Sequence, residues 1–429
     1  MFVTTRTRSG VERSDISDAI YRAGLSFVPV IPRRESRFEI VHLAHSSMPQ
    51  DTRVKREASA AALTGRRVAV IVLEARGEPT VERAGPVTII RVPGNRTRRG
   101  PLSYLTEYTE FMLRCRWLLA QHQAFRHVRV VHVHTLPDFL IWAARPVQKR
   151  GGHVILDLHE IFPEFTRIKY PGALGRVAAR LAQAIERRAR RLADVTITVN
   201  TPIETLLAAR PIGRAERLLV VHNSVDPQDF GPQREPCPER RGTALELVYH
   251  GTLTQLYGLD VAVRAVHAAL GNGLDVRLAI LGDGPERGRL EALAQALGLG
   301  DRVRFEGRLL QRDLPARLTR ADAAVVPTRL NEMTRYSLSN KLLEYVHLGV
   351  PVVASRLPSY VEYLGDDAAW YWTPGDPADC ARAIAALAAA SPEERATRAR
   401  HGQERLSEIE WTGERDRLVA LYQELLDSR

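Results

Sequence analysis

Short β-branched runs alternate with longer amphipathic segments from about residue 38 to the carboxyl end, in two successive series. A parallel strand covered on both faces reads as an unbroken apolar run, and the helix returning the chain reads with helical periodicity. The first series is FEIVHLA (38–44), RVAVIVL (67–73), VTIIRV (87–92), VRVVHVH (128–134), HVILDLH (153–159), VTITVN (195–200) and RLLVVHN (217–223). Its helices are predicted to begin near Asp51, Pro101, Leu136, Ala173 and Thr201. The second is LELVYHG (245–251), VRLAILG (276–282), RVRFEG (302–307), AAVVPT (323–328), VPVVAS (350–355) and AAWYW (368–372). Between them, DPQDFGPQREPCPERRGT (226–243) carries four prolines and little apolar content, and reads as a linker. The pattern predicts two doubly wound α/β domains over 38–228 and 244–405, with the linker at 229–243. An extension, 1–37, precedes them, expected to be disordered or packed on the first domain, and a closing helix, 406–429, follows. Such sheets bind ligands at the carboxyl ends of their strands, so the cleft between the domains is the expected site.

Composition narrows the class. The 429 residues are 45% hydrophobic and 26% charged, ordinary for a globular chain. Cys115, Cys237 and Cys380 are too few and too scattered for a disulfide framework or a zinc site, which predicts a reducing, cytoplasmic setting. No run approaches the roughly 18 apolar residues of a spanning helix. The net charge of +11 permits a polyanionic partner, but zinc-finger, RNP and helix-turn-helix patterns are missing, so no nucleic-acid partner is expected. Nearly all the basic residues are arginine; Lys55, Lys149, Lys169 and Lys341 are the lysines.

Several segments carry candidate chemistry. In ILGDGPERGRL (280–290), Gly282, Gly284 and Gly288 resemble a loose dinucleotide fingerprint, with Glu306 where a ribose-binding acid would fall. Asp283 would set a carboxylate against the pyrophosphate, and the bland reading is a tight strand-to-helix turn. HGTLTQLYGLD (250–260) places a helix N-terminus at a strand end, a place that favours anions. In NEMTRYSLSNKLLEYVHLGVPVVAS (331–355), Ser339 can cap a helix with Asn340 and Lys341 in its first turn and Glu344 one turn on. A cation there opposes the helix dipole by roughly 0.3–1 kcal/mol, which a bound phosphate would justify; pairing of Lys341 with Glu344 is the alternative. His132, His134, His159 and Glu160 fall at strand ends, as substrate contacts or, less simply, metal ligands. Finally, ALGRVAARLAQAIERRARRLADV (173–195) puts Leu174, Val177, Leu181, Ile185 and Leu192 on one face and arginines elsewhere. It would rest on an anionic membrane through 173–192, or cover the sheet with its arginines in solvent.

Together these segments resemble the family 4 retaining glycosyltransferases of the GT-B fold, from about residue 38 to 425. DTRVKREASAAALTGRRVAVIVLE (51–74), HVHTLPDFL, ILDLHEIFPE and VVHNSVDPQDF are similar to segments of the family's first domain. LAILGDGPERGRLEALAQALGLGDRVRFEGRL and KLLEYVHLGVPVVAS are similar to its second, and IEWTGERDRLVALYQELL to its last helix. The resemblance implies a fold of two Rossmann-like domains and transfer of a sugar from a nucleotide-sugar to an acceptor hydroxyl. It also implies retention by front-face attack and no obligatory metal or other cofactor. The acceptor, left open among a lipid-linked sugar, a polysaccharide and a small natural product, would bind mainly the first domain.

Carried over by position, Glu344 would hold the ribose, and Arg308 and Leu309 would border the base. His159 would touch the donor sugar, and Gly251, Thr252, Tyr257, Gly258, Gly282 and Asn340 would line the donor site. His45, Arg53, His134 and Glu160 would face the acceptor. Two departures stand out. Where the family pattern reads G-R-x-x-x-x-K-G, this chain has Thr252 and Tyr257 in place of the cations, and Tyr336 replaces the first Glu of the E-x7-E pair. Lys341 and Arg335 are the expected replacement cations. The other readings at this point are a catalytically weak nucleotide-sugar-binding protein and an NAD-dependent or epimerase-type enzyme.

Overall fold

The apolar runs fold as strands because their backbone groups pair with parallel neighbours while helices cover both faces. The computed structural model describes residues 29–31, 37–48, 51–75, 77–94, 101–170, 172–236 and 242–428, without the side chains of 101–104. Most of the 1–37 extension, part of the linker and Cys237 lie outside the described residues. By compactness the chain divides into two units, one of residues 1–156, 192–194 and 422–429, the other of 157–191 and 195–421.

In the first unit, Ile40–Ala44 (β1), Val68–Leu73 (β2), Val81–Ala84 (β3), Val87–Val92 (β4), Val130–His134 (β5) and the start of His153–Leu158 (β6) lie in the order β3-β4-β2-β1-β5-β6. β1 pairs in parallel with β2 (Ile40 opposite Val68) and with β5 (His42 opposite His132). β1, β2, β4 and β5 are buried at every position. Helix Thr52–Ala62 begins at Asp51, whose side chain accepts from the Val54 N–H at 3.2 Å, a standard cap.

Three features differ from the sequence reading. β3 is an additional strand, antiparallel to β4. It is polar and half exposed, so apolar periodicity does not announce it; buried Arg91 of β4 holds it through Glu78 at 2.6 Å and Glu82 at 2.7 Å. The helix expected near Leu136 is a 3-10 run, Asp138–Ala144, with a single α turn, Arg145–Gln148, after it. Helix Phe162–Lys169 precedes the long helix Gly172–Leu192.

The long helix also turns a different face inward. Gly175, Ala179, Ala182 and Ala189 are buried together with Glu186 and Arg190, whereas Leu174, Val177 and Leu181 are 69%, 62% and 62% exposed. The reason is polar anchoring. Arg190 donates to Leu207 O at 2.8 Å and to Glu216 at 2.6 and 2.9 Å, and also bonds Glu186, fixing the rotation of the helix against Thr201–Ala208 and residues 210–216.

The second unit holds the six-stranded parallel sheet β11-β10-β9-β12-β13-β14, formed by Leu245–His250 (β9), Val276–Leu281 (β10), Val303–Gly307 (β11), Ala323–Val326 (β12), Val352–Ser355 (β13) and Trp370–Trp372 (β14). Apolar clusters fill both of its faces. Within the same unit, Val195–Thr198 (β7) pairs in parallel with Leu218–Val220 (β8). His222 Nδ1 meets Glu414 of the last helix, Trp411–Asp427, at 2.6 Å, and the Ser224 hydroxyl donates to Ile409 O.

The end of that helix clusters with the first unit, where Tyr422 is fully buried. Its hydroxyl lies 2.7 Å from His132 Nδ1 and 3.5 Å from His42 Nε2. His132 and its strand neighbour His42 are both completely buried. Tyr422→Phe should therefore lower unfolding free energy by about 1 kcal/mol, the usual worth of a buried hydrogen bond, in a urea titration. Unchanged stability would show that this contact contributes nothing net.

Candidate active site

Strand order reverses between β9 and β12: β10 and β11 lie to one side, β13 and β14 to the other. At such a point the loops leaving the two central strands diverge and open a crevice at the carboxyl ends. The loops here are 251–258 after β9 and 327–339 after β12. They contribute Leu256, Tyr257, Thr328, Met333, Thr334 and Ser337 to a pocket of about 230 Å³. Asn340 and Lys341 of helix Asn340–His347, Tyr360, and His159, Glu160 and Asn223 complete much of its wall.

The loop after β9 needs its glycines. Gly251 has φ +124°, and a Cβ on it would meet Lys341 Cε at 2.4 Å. Gly258 starts helix Leu259–Gly271 in the left-handed region, and a Cβ there would meet Pro327 O at 2.1 Å. Through this gap the Lys341 stem brings its ammonium to 3.6 Å from the centre of the Tyr257 ring, with Tyr249 at 5.8 Å. An aromatic face attracts a cation and partly replaces lost hydration. Burial still dominates: it pushes the Lys341 ammonium down to about 8, with the nearby Glu344 charge acting the other way.

Glu344 is engaged. Its carboxylate accepts from His250 Nε2 at 2.5 Å, and His250 Nδ1 accepts from the Tyr345 hydroxyl at 2.8 Å. On the opposite wall, His159 Nε2 donates to the fully buried Asp157 at 2.8 Å, which orients the imidazole. Neighbouring Glu160 is raised by burial, with His159 opposing, and Tyr257 is raised by burial and then by Glu160. The loop after β12 is irregular but well tied. Asn331 Oδ1 accepts from the N–H groups of Met333 and Thr334 at 2.9 Å, and Ser359 donates to Ser337 O at 2.7 Å.

Of the predicted donor-side residues, Tyr257, Asn340 and Lys341 line this pocket with His159 and Glu160, and Glu344 lies one helical turn further along. Ser339 precedes the helix but its side chain makes no capping bond. Thr252 is exposed, its carbonyl accepting from the Tyr249 hydroxyl at 3.1 Å. Gly282 packs on Gly251, whose carbonyl a Cβ would meet at 1.9 Å, and Gly284 packs similarly on Leu253. These glycines serve a close crossing of two turns; Glu306 pairs with Arg317 at 2.5 Å. Arg308 and Leu309 are exposed beyond β11, and Arg335 is exposed against the Tyr336 ring, apart from the pocket wall.

The acceptor-side residues other than Glu160 lie in the first unit. Arg53 is buried against Glu57 at 3.0 Å, and His45 is 3.4 Å from Glu107. His134 is 2.9 Å from His42 Nδ1. His42, His132 and His134 bring ring nitrogens within 4.8 Å of one another. The His42 and His134 rings lie only 17° from parallel, with nitrogens at hydrogen-bond distance, so one ring can donate to the other. Asp157 and His250 escaped the sequence reading. The signal for the first is its place two residues before His159 at a strand end, where alternate side chains share a face.

The family follows from comparison. Residues 50–229 match the model described as Glycosyltransferase Family 4, and residues 244–390 that described as Glycosyl transferases group 1. The chain is 30% identical to a 2-deoxystreptamine N-acetyl-D-glucosaminyltransferase of Streptomyces fradiae, over 70% of this chain and 77% of that one. The chain belongs to the family 4 glycosyltransferases. This glycosyltransferase is also 27% identical to a 2-deoxystreptamine glucosyltransferase of Streptomyces kanamyceticus, over 77% of this chain and 87% of that one. Its fold is GT-B. A sucrose-phosphate synthase from Thermosynechococcus elongatus superposes with a TM-score of 0.72 at 19% identity, over 91% of this chain and 99% of that one. An Anabaena protein in complex with UDP and glucose gives 0.64 at 15% identity, over 90% and 100%.

Lys341 makes the enzyme's stability depend on pH. Its native value near 8 lies below the ordinary 10.5, so charged Lys341 costs native stability in full below pH 8. The cost is relieved between about pH 8 and 10.5, where the unfolded chain holds more protons. Lys341→Met should be more stable than wild type at neutral pH, the advantage shrinking by about pH 10 in urea titrations. A pH-independent difference would contradict the assignment.

Proposed function

We propose that the glycosyltransferase moves a sugar from a nucleotide-sugar donor to an acceptor hydroxyl with retention of configuration and without an obligatory metal. The observation that carries this reading is Lys341, a dehydrated cation held over Tyr257 in the pocket at the strand-order switch point. In front-face transfer the bond from the sugar anomeric carbon to the diphosphate oxygen breaks as the acceptor oxygen bonds the same face. The acceptor proton passes to the departing phosphate oxygen. Negative charge grows on the leaving diphosphate, so a fixed cation beside it lowers the barrier. Lys341 supplies that cation where the family's loop cations are replaced by Thr252 and Tyr257. His159, steadied by Asp157, contacts the donor sugar, and Glu344 holds the ribose in exchange for His250.

Metal independence is supported by the donor set. Among the described residues, Glu160 is the one carboxylate in the pocket lining, and Lys341 offers a protein cation where a metal would otherwise meet the diphosphate charge. The fold neighbour solved with UDP and glucose makes UDP-sugars the first donors to try. The two relatives named for 2-deoxystreptamine make that aminocyclitol the first acceptor.

The test combines donor binding and turnover. Thermal stabilisation with UDP-, GDP-, ADP- and dTDP-sugars identifies the donor, and NMR of the product reads its anomeric configuration. Inversion, or loss of activity in a chelator restored by a divalent ion, would overturn the mechanism. Lys341→Ala should lower kcat by about 10²–10³-fold, the range for loss of one electrostatic donor, with a smaller effect on donor affinity. In the wild type kcat/KM should fall above about pH 8 as Lys341 loses its proton. Lys341→Arg should keep its rate there, since a guanidinium stays charged. His159→Ala should slow transfer and leave affinity for the free nucleotide intact; a matching loss of that affinity would contradict its place at the sugar.

A further inference from the structure

The outward face of helix Gly172–Leu192 has no role in the pocket chemistry, yet it is organised. Leu174, Val177 and Leu181 follow one another at helical spacing on a single stripe, each more than three-fifths exposed. Single exposed apolar residues are common and need no cause; a stripe of them is uncommon. Beside it, exposed Arg176, Arg180 and Arg187 recur at spacings of four and seven residues, and exposed Arg188 lies next to the stripe itself, whereas Arg191 Nε donates to Ile212 O. The one acid of the helix, Glu186, is buried and turned inward to Arg190 and Arg210. The outward face therefore offers apolar side chains and guanidinium groups with no carboxylate of its own helix to oppose them.

We propose that this face docks on an anionic lipid surface, the helix lying in the plane of the headgroups. The three apolar side chains enter the acyl boundary. The arginines lay their stems along it and present their planar forks to lipid phosphates, which they match bidentately. Charge complementarity selects this occupant, since a row of like charges beside an apolar stripe matches a continuous field of phosphates. Among the described residues, no helix is long and apolar enough to cross a membrane. The inner face of the helix is held by Arg190 to Leu207 O and Glu216, so the stripe is displayed on a rigid support.

The experiment is sedimentation of the full chain with vesicles of phosphatidylcholine, with and without about one third phosphatidylglycerol, at physiological salt. Wild type should bind the anionic vesicles and not the neutral ones. The variant L174Q/V177Q/L181Q should bind at least tenfold more weakly, while keeping the wild-type melting temperature because all three side chains already face water. R176Q/R180Q/R187Q should lose the preference for anionic lipid. V177W should shift its emission to the blue on anionic vesicles alone. Failure of the wild type to bind would overturn the proposal. So would equal binding by the triple Gln variant, which would assign the attraction to general basicity, or an unshifted V177W emission with the protein bound. A wild type that self-associates or needs a second protein to hold this stripe, with no vesicle binding, would give the face to a protein partner instead.

Discussion

The position of Lys341 over the Tyr257 ring is the interaction on which the proposed chemistry turns. A lysine in the first turn of a helix opposes the helix dipole, and a partly dehydrated ammonium loses hydration that an aromatic face restores only in part. Such a group is stabilised by an anion more than a solvated surface lysine would be. The arrangement depends on Gly251, since a side chain there would displace the Lys341 stem, and on the close crossing of Gly282 over Gly251. The backbone geometry of two loops thus controls the placement of one charge.

That placement gives a physical meaning to the chain's departures from the family pattern it resembles. Tyr257 stands where the pattern has a lysine, and Lys341, from a different element, rests its ammonium on that tyrosine. In the proposed function this ammonium takes the place of the loop cation. Gly282 and Gly284 are accounted for in the same way. They let two turns cross at backbone contact, whereas a Cβ on Gly288 would meet open space.

Much of the fold was legible because parallel strands leave a strong trace. The buried runs of β1, β2, β4, β5, β9 and β10 coincide with the predicted segments to within a few residues. What escaped was held by something other than apolar periodicity. β3 is fastened by Arg91 to two carboxylates. In helix Gly172–Leu192 the larger apolar residues were read as a coherent face, but Arg190 and Glu186 set its rotation and buried the small residues instead. Of the residues expected at the donor side from strand ends, a helix start and a family resemblance, His159, Tyr257, Asn340 and Lys341 line one pocket and Glu344 lies one helical turn further along. Asp157 and His250 were missed because their roles are defined by partners: one is adjacent in a strand, the other ninety-four residues from its carboxylate.

The sequence by itself determined the architecture and the family, since hydrophobic periodicity and continuous motifs are local properties of the chain and survive without coordinates. Tertiary structure decided which side chains share one pocket, which nitrogen of His159 is bound, how far Lys341 is dehydrated, and which face of the long helix meets water. Those are matters of distance and solvent exclusion among residues far apart in the chain. An ammonium's proton affinity and a leucine's exposure depend on what surrounds them, and no pattern of neighbours along the sequence carries that information.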